Sequence, residues 1–313
     1  MPRVPHKRRA RPAKRKQANA RNAAPVLAGV AISVAPPAPA SPLAVSPIVR
    51  WLAADAAVVG TSHLRTSPPK PCQDAALADA GGRPLVALAD GAGSAAVSHI
   101  GAAAVVSGVR RLCRTLEDDL VAVLDAQVAP AGGAEAVASR IVAHARGTLD
   151  DLAEAHSRSA DDFRCTLLVW LAGRQRALWL KVGDGALVAE TGGAYVCVGP
   201  AGKGEFANQT CFIGPRLEDA QWAWGEIDAA RLSGLAAMSD GTAERLVAQD
   251  ASRVSPAIGK LLRGVADAQV GRREVFGLLA EADFWKGTSG DDKSLALVAR
   301  VVPPAESETG ERP

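Results

Sequence analysis

Three aspartate–glycine pairs, each at the end of an apolar run, constrain this chain more than any other feature. They are Asp90-Gly91 after residues 84–89, Asp184-Gly185 after residues 178–182, and Asp240-Gly241 after residues 235–238. A short apolar run bounded by glycine is typical of a buried strand, and glycine permits the tight turn that follows it. A single pair of this kind is usually only a turn. Three of them together predict that strand ends bring carboxylates to one place.

Two further acidic segments strengthen this interpretation. Gln73-Asp74 stands in a predicted loop before the first of these strands, and Asp291-Asp292 opens the last apolar run of the chain. Mg²⁺ and Mn²⁺ prefer oxygen ligands, and clustered carboxylates repel one another unless a cation neutralises them. If these segments converge, a divalent-metal site is the simplest hypothesis.

The charge distribution separates a basic arm from an acidic body. Residues 1–24 hold nine Lys or Arg and no acid, which leaves 27 basic against 33 acidic side chains in the remainder. We interpret residues 1–48 as a basic disordered arm with an Ala/Pro-rich linker, and residues 303–313 as an acidic tail. The arm is either a solubilising tail alone or a contact for nucleic acid, an anionic lipid surface or an acidic partner.

The cysteines and the apolar runs indicate in which cellular compartment the protein is expected. Five scattered cysteines without a C-x-x-C pair argue against a disulfide framework or a zinc site and favour a reducing compartment. No apolar run is long enough for a transmembrane helix. Pro25 and Gly29 interrupt the mildly apolar residues 24–35, which argues against a signal peptide. We therefore expect a cytoplasmic protein.

The periodicity of apolar residues predicts the fold class. Strand patterns are expected within residues 48–59 and at 85–89, 166–171, 177–182, 186–190, 194–198, 221–227, 233–239 and 294–302. Helical patterns are expected at 99–114, 135–156, 242–249, 255–265 and 272–280. Runs of hairpins with helices between them favour an α+β fold with antiparallel sheets over a repeating βαβ unit.

Taken in order, the motifs resemble those of the metal-dependent serine/threonine protein phosphatases of the type 2C family, in a bacterial-type variant. The matching fragments are residues 60–63 with 72–74, 90–94, 165–185, 238–241 and 291–294. The resemblance implies a four-layer αββα sandwich, two antiparallel sheets flanked by helices, in a domain spanning residues 49–302. It also places a metal site at one end of the sandwich, where strands deliver their carboxylates.

The resemblance further implies a reaction and its ligands. Metal-activated water would hydrolyse phosphoserine and phosphothreonine in proteins, at a site with two or three Mg²⁺ or Mn²⁺ ions. Asp90 would bridge two of the ions and so be catalytic. The implied metal ligands, direct or through water, are Asp74, Asp90, the Gly91 carbonyl, Asp240 and Asp291, with Asp184 at a looser third site. The implied partner is a phosphorylated protein, and the activity would oppose a serine/threonine kinase.

Three departures from the family's pattern bear on activity. Gln73 stands where the family often has glutamate, so this position carries no charge. His63 matches the arginine that usually clamps phosphate, with Arg65 and Lys70 nearby as substitutes. Ala92 stands where a proton-donating histidine is often found, so that His63 or a metal-bound water would take the catalytic part of the proton donor. These departures motivate one alternative, a catalytically weak or inactive module that binds phosphoproteins as a regulator. Hydrolysis of small phosphoesters is another.

Overall fold

The computed structural model describes residues 49–200 and 210–301, and the predicted arm, linker and acidic tail lie outside these residues. The described strands are β1 (Trp51–Val58), β2 (Asp74–Asp79), β3 (Leu85–Asp90), β4 (Leu167–Ala172), β5 (Arg176–Val182), β6 (Ala186–Thr191), β7 (Ala194–Val198), β8 (Trp222–Asp228), β9 (Leu232–Met238) and β10 (Lys293–Arg300). They form two five-stranded sheets, ordered β1-β10-β9-β6-β7 and β2-β3-β4-β5-β8. Every strand pair is antiparallel.

Helices cover the outer face of each sheet. The described helices are α1 (Thr61–Leu64), α2 (Ser98–Thr115), α3 (Glu117–Leu120), α4 (Gly133–His156), α5 (Asp240–Leu246), α6 (Pro256–Ala266), α7 (Arg272–Ala280) and α8 (Ala282–Trp285). The apolar faces of α2 and α4 pack on the sheet that contains β3 and β4. The apolar faces of α6 and α7 pack on the sheet that contains β9 and β10. The predicted four-layer αββα sandwich is therefore confirmed.

The two buried faces of β4 show how the sequence builds these layers. All six residues of this strand are buried. Leu167, Val169 and Leu171 contact the core under α2 and α4, whereas Leu168 and Trp170 contact the core between the two sheets. Successive side chains of a strand point to opposite faces, so a continuous apolar run suits a strand that is covered on both sides.

One segment differs from the prediction. Gln73-Asp74 was expected in a loop, but Asp74 is the first residue of β2 and pairs with Asp90 of β3. The prediction was wrong because residues 74–79 are mostly alanine and aspartate, which have low intrinsic strand preference. Hydrogen bonding to β3, a tertiary interaction, determines the strand.

The topology brings several strand ends to the same edge of the sandwich. In antiparallel pairs the carboxyl end of one strand lies beside the amino end of its neighbour. The carboxyl end of β3 therefore lies beside the amino end of β2, that of β5 beside the amino ends of β4 and β8, and that of β9 beside the amino end of β10. Within residues 49–200 and 210–301, no helix combines the length and apolar character that crossing a bilayer requires.

Candidate metal centre

Four of the predicted aspartates line one cavity of about 150 Å³. They are Asp90 at the end of β3, Asp184 in the turn after β5, Asp240 at the start of α5, and Asp291 just before β10. The remaining lining residues are Gln73, Gly91, Ala92, Gly93, Thr210 and Phe212. The convergence that the Asp-Gly pairs suggested is thus present in the structure.

Asp74 does not line the cavity but lies directly behind it. It faces Asp90 in the register of β2 and β3, and like charges in directly opposite positions destabilise a sheet. Asp74 is buried, and neither of its carboxylate oxygens has a hydrogen-bond partner among the described residues. The Ser239 and Ser294 hydroxyls are near enough to favour its ionised form, but not in hydrogen-bonding geometry. A buried carboxylate without partners is costly unless a cation compensates it.

The carboxylates of this centre hold protons more tightly than usual. Burial, followed by the charge of Asp292, raises the pKa of Asp74 to about 7. Burial and the charge of Asp74 raise the pKa of Asp90 well above its ordinary value. Burial and the charges of Asp184 and Asp291 raise the pKa of Asp240 to about 6. Without a cation, these groups cannot all be ionised at neutral pH without strong repulsion.

Glycine at position 91 lets the chain pass close to the centre. A Cβ atom there would lie 2.8 Å from both Cβ and Oγ of Ser98, so no side chain fits. The adjacent Gln73 side chain donates from Nε2 to Ser98 Oγ at 2.6 Å. Its Oε1 atom is buried and has no hydrogen-bond partner among the residues that the structure describes, and Gln73 lines the cavity. This carbonyl adds an uncharged oxygen donor to the carboxylates.

The turns that carry Asp184 and Asp240 are also constrained. Gly183 has a φ of +102°, and a Cβ atom there would lie 2.5 Å from the Thr166 side chain. Asp184 Oδ2 accepts a hydrogen bond from Thr210 Oγ1 at 2.7 Å. Asp240 Oδ1 accepts one from the backbone N–H of Gly241 at 2.5 Å. These contacts leave lone pairs of both carboxylates free toward the cavity.

Asp292 is a site residue that the sequence analysis missed. It is buried and accepts hydrogen bonds from the backbone N–H groups of Gly60 and Gln73, each at 2.5 Å. Its Oδ1 also lies 3.0 Å from Nδ1 of His63. Asp292 therefore links the segment before α1, the start of β2 and the segment before β10. The sequence contained a signal for it, the Asp291-Asp292 pair, but only Asp291 was predicted to be a metal ligand.

His63 and Arg65 do not line the cavity. His63 is buried, and its Nε2 lies 3.6 Å from Oδ1 of Asp291, so both ring nitrogens face carboxylates. One donor atom from each of His63, Asp291 and Asp292 lies within 4.8 Å of the others, a spacing that one ion could bridge. Arg65 is exposed. Phosphate binding by His63 and Arg65, and catalysis by His63, stay predictions.

Lys293 places a buried positive charge beneath the carboxylates. It is fully buried, and its Nζ donates to the carbonyl of Gly241 at 2.5 Å and lies 4.5 Å from the Trp285 ring centroid. Burial lowers the pKa of Lys293, while the charges of Glu244 and Asp240 act in the opposite direction. Lys293 is therefore an internal counter-charge for the acidic centre.

The donor set fits a hard divalent cation. The cavity offers carboxylate, amide and backbone oxygens, and no cysteine is among the residues that line it. Three buried oxygen atoms beside it, Oδ1 and Oδ2 of Asp74 and Oε1 of Gln73, have no hydrogen-bond partner in the described part of the chain. Oxygen donors of this kind suit Mg²⁺ or Mn²⁺.

Comparisons with known proteins point to one family and one fold. A sequence profile described as protein phosphatase 2C matches residues 59–278. The serine/threonine phosphatase PstP/Ppp of Mycobacterium tuberculosis has 15% identity and a TM-score of 0.54, over 80% of this chain and 99% of that chain. A catalytic domain of PstP in complex with two manganese ions has 16% identity and a TM-score of 0.52, over 81% and 100%. Stp1 from Staphylococcus aureus has 12% identity and a TM-score of 0.53, over 79% and 94%. No curated protein sequence matches the chain.

Proposed function

Since the chain belongs to the protein phosphatase 2C family, we propose that it hydrolyses phosphoserine and phosphothreonine in proteins at the carboxylate cavity. The observation that carries the proposal is the convergence of Asp90, Asp184, Asp240 and Asp291 on one cavity. The carboxylate of Asp74, which has no hydrogen-bond partner within the described ranges, supports the same conclusion. Clustered buried carboxylates repel one another and destabilise the folded protein, whereas bound cations would neutralise their charge.

The residues present fit two or three Mg²⁺ or Mn²⁺ ions. Asp90 would bridge two of them, and the Gly91 carbonyl, Asp240 and Asp291 would complete their ligands. Asp74 would bind directly or through water, and Asp184 would hold a third ion. When bound, such ions lower the pKa of a coordinated water toward neutrality and stabilise charge on a transferring phosphoryl group.

The protein's own residues orient these groups. Thr166 fixes the backbone of Asp90 through two hydrogen bonds. Its Oγ1 accepts from the Asp90 N–H, and its own N–H donates to the Asp90 carbonyl, each at 2.8 Å. Thr210 orients Asp184, and Asp292 holds the segments that carry Asp291 and Gln73. Ala92, which lines the cavity, has no proton to donate to a leaving group. We therefore expect slow turnover with poor leaving groups, since general acid catalysis contributes about a hundredfold or more.

The second candidate function is a regulator that binds phosphoproteins without turnover. It is favoured by Ala92 and by His63, whose ring nitrogens face Asp291 and Asp292. The clustered carboxylates favour the enzyme over a binding module that works without metal ions, because such a module would gain nothing from mutually repelling buried acids. The phosphoprotein partner, the opposing kinase, a cytoplasmic location and any contact made by the basic arm stay predictions.

One assay separates these functions. The full chain is incubated with p-nitrophenyl phosphate or a phosphothreonine peptide, with Mn²⁺ or with chelator, and Asp90→Asn is compared with the wild type. Glu226→Gln, which changes an exposed carboxylate on β8, is the control. We expect Mn²⁺-dependent hydrolysis of both substrates, reduced at least a hundredfold in Asp90→Asn and unchanged in the control.

Other outcomes identify the alternatives. Absence of hydrolysis by the wild type, together with Mn²⁺-dependent binding of the phosphopeptide, would favour the regulator. Hydrolysis of the phenyl phosphate alone would favour small phosphoesters as substrates. Hydrolysis that persists in chelator would refute a metal-dependent mechanism.

A further inference from the structure

The proposed phosphatase needs a positive charge for the substrate phosphate that its first motif does not supply. The cavity is lined by four carboxylates, which repel a phosphate dianion where cations do not screen them. His63 stands in the usual position of the phosphate-binding arginine, but its ring nitrogens lie 3.0 and 3.6 Å from the carboxylates of Asp292 and Asp291. Its side chain is therefore directed at protein groups and not at the cavity.

The backbone places Arg164 beside the cavity loop. The N–H of Ala92 donates to the carbonyl of Arg164 at 3.1 Å, and the N–H of Thr166 donates to the carbonyl of Asp90 at 2.8 Å. Gly91 pairs with Cys165 between these two hydrogen bonds. Directly opposite residues of an antiparallel pair lie on the same face. Arg164 lies opposite Ala92, and Thr166 lies opposite Asp90. Arg164 is therefore on the same face as Ala92, which lines the cavity.

The side chain of Arg164 follows the same loop. Its Nη2 donates to Ser94 Oγ at 2.8 Å, and its Nη1 donates to the carbonyl of Asp161 at 3.2 Å. Its guanidinium carbon lies 5.9 Å from the ring centroid of Phe212, which lines the cavity. The guanidinium thus lies between the end of the Gly91–Ser94 loop and a residue of the cavity wall.

The charge of Arg164 has no carboxylate partner in the part of the chain that the structure describes. The ion pairs among these residues involve other arginines, including Arg216, which pairs with Asp161 at 3.0 Å. Arg164 is half-buried and uses only two of its N–H groups in the hydrogen bonds above. A guanidinium carries five N–H donors in a planar fork that matches two oxygens of a phosphate. Donors and charge therefore remain for an anionic ligand.

We infer that Arg164 binds the phosphoryl group of the substrate and the phosphate product. This inference rests on the proposed phosphatase function and assigns the phosphate contact to a residue outside the first motif. Arg164 acts through charge and hydrogen bonds, because arginine does not release a proton in proteins and cannot replace the missing histidine as an acid. Lys70, whose Nζ donates to the Gly93 carbonyl at 3.3 Å, is exposed and offers only a point charge at the rim.

The test compares Arg164→Met and Arg164→Lys with the wild-type full chain. Arg216→Met is the matched control, because Arg216 contacts the same Asp161 but is 78% exposed and pairs with it as an ordinary surface ion pair. The measurements are KM and kcat for p-nitrophenyl phosphate with saturating Mn²⁺, the inhibition constant of inorganic phosphate, and the Mn²⁺ affinity by calorimetry. Hydrogen bonds to charged groups predict a rise of about tenfold or more in KM and in the phosphate inhibition constant for Arg164→Met.

We expect Arg164→Lys to restore part of this loss, and Arg216→Met to behave as wild type. Mn²⁺ affinity should be unchanged in all three variants. An unchanged phosphate inhibition constant in Arg164→Met would overturn the inference. So would a loss of Mn²⁺ binding in that variant, since Arg164 would then support the Gly91–Ser94 loop and not the ligand.

The role of Arg164 and the proposed phosphatase function can be refuted independently of each other. If the wild type has no turnover, the proposed function fails, and binding of a phosphothreonine peptide with Mn²⁺ still tests Arg164. Weaker peptide binding by Arg164→Met than by Arg216→Met would then support it. Equal binding by the two variants would refute it.

Discussion

Replacing Asp74 with asparagine should stabilise the metal-free protein at neutral and alkaline pH. Asp74 is buried, lies opposite Asp90 and has no hydrogen-bond partner for its carboxylate among the described residues. Folding raises its pKa from 3.8 to about 7, chiefly through burial. The wild-type carboxylate therefore opposes folding whenever the unfolded chain has lost this proton. Asparagine has nearly the same shape and never carries the charge.

The size of the effect follows from the pKa shift. Each unit corresponds to about 1.36 kcal/mol, so the full shift corresponds to about 4 kcal/mol. Asp90 and Asp240 can take up the proton in place of Asp74, which reduces the penalty to about 2–3 kcal/mol. Below about pH 3 the group is protonated in both states and contributes nothing. From pH 4 to 7 the folded state binds more protons than the unfolded state, so stability falls as pH rises.

Urea denaturation followed by tryptophan fluorescence measures this prediction, since the chain has six tryptophans. In chelator, Asp74→Asn should gain about 2–3 kcal/mol over the wild type at pH 8 and less than about 1 kcal/mol at pH 4. Addition of Mn²⁺ at pH 8 should stabilise the wild type more than the variant, because ligand binding to the folded state adds to its stability. Glu226→Gln, an exposed carboxylate on β8, should show neither effect.

Two results would refute the reasoning. One is a metal-free wild type whose stability rises between pH 5 and 8, since that would mean that the carboxylates are favourably paired. The other is an Asp74→Asn variant that is less stable than the wild type in chelator at pH 8. In that case the carboxylate would have a hydrogen-bonding role in the fold that outweighs its burial.

Two further substitutions test the residues that hold the centre together. Asp292→Asn should lower the stability of the metal-free protein by about 1–3 kcal/mol, because one amide oxygen cannot accept from both Gly60 and Gln73. It should also weaken Mn²⁺ binding in calorimetry, and unchanged values for both quantities would contradict a positioning role. Lys293→Met should tighten Mn²⁺ binding by removing a buried positive charge near Asp240 and Asp291, and should destabilise the metal-free protein in urea. Weaker Mn²⁺ binding in Lys293→Met would show that the lysine acts through packing on Gly241 and Trp285 and not through its charge.

Much of the fold could be predicted because its signals are local. Continuous apolar runs and helical periodicity in the sequence correspond to β3, β4, α2 and α4 within a few residues. The strand β2 could not be predicted in the same way, because its residues have little strand preference and only pairing with β3 makes them a strand. The π-helical turn at Val121–Asp125, which follows α3, was not predicted from the sequence either.

The sequence by itself determined which carboxylates stand at strand ends, since an apolar run followed by Asp-Gly specifies both the strand and its turn. The Asp-Gly signal therefore identified Asp90, Asp184 and Asp240 as a group, and the acidic segments at Asp74 and Asp291 were added to it before any distance was known. Only the tertiary structure decided that Asp292 and Lys293 are buried, that His63 faces carboxylates and that Arg164 lies opposite Ala92. The contact between Asp292 and Gly60 joins residues 232 positions apart. No local periodicity encodes such a contact, because it depends on the pairing of β1 with β10, which are far apart in the sequence.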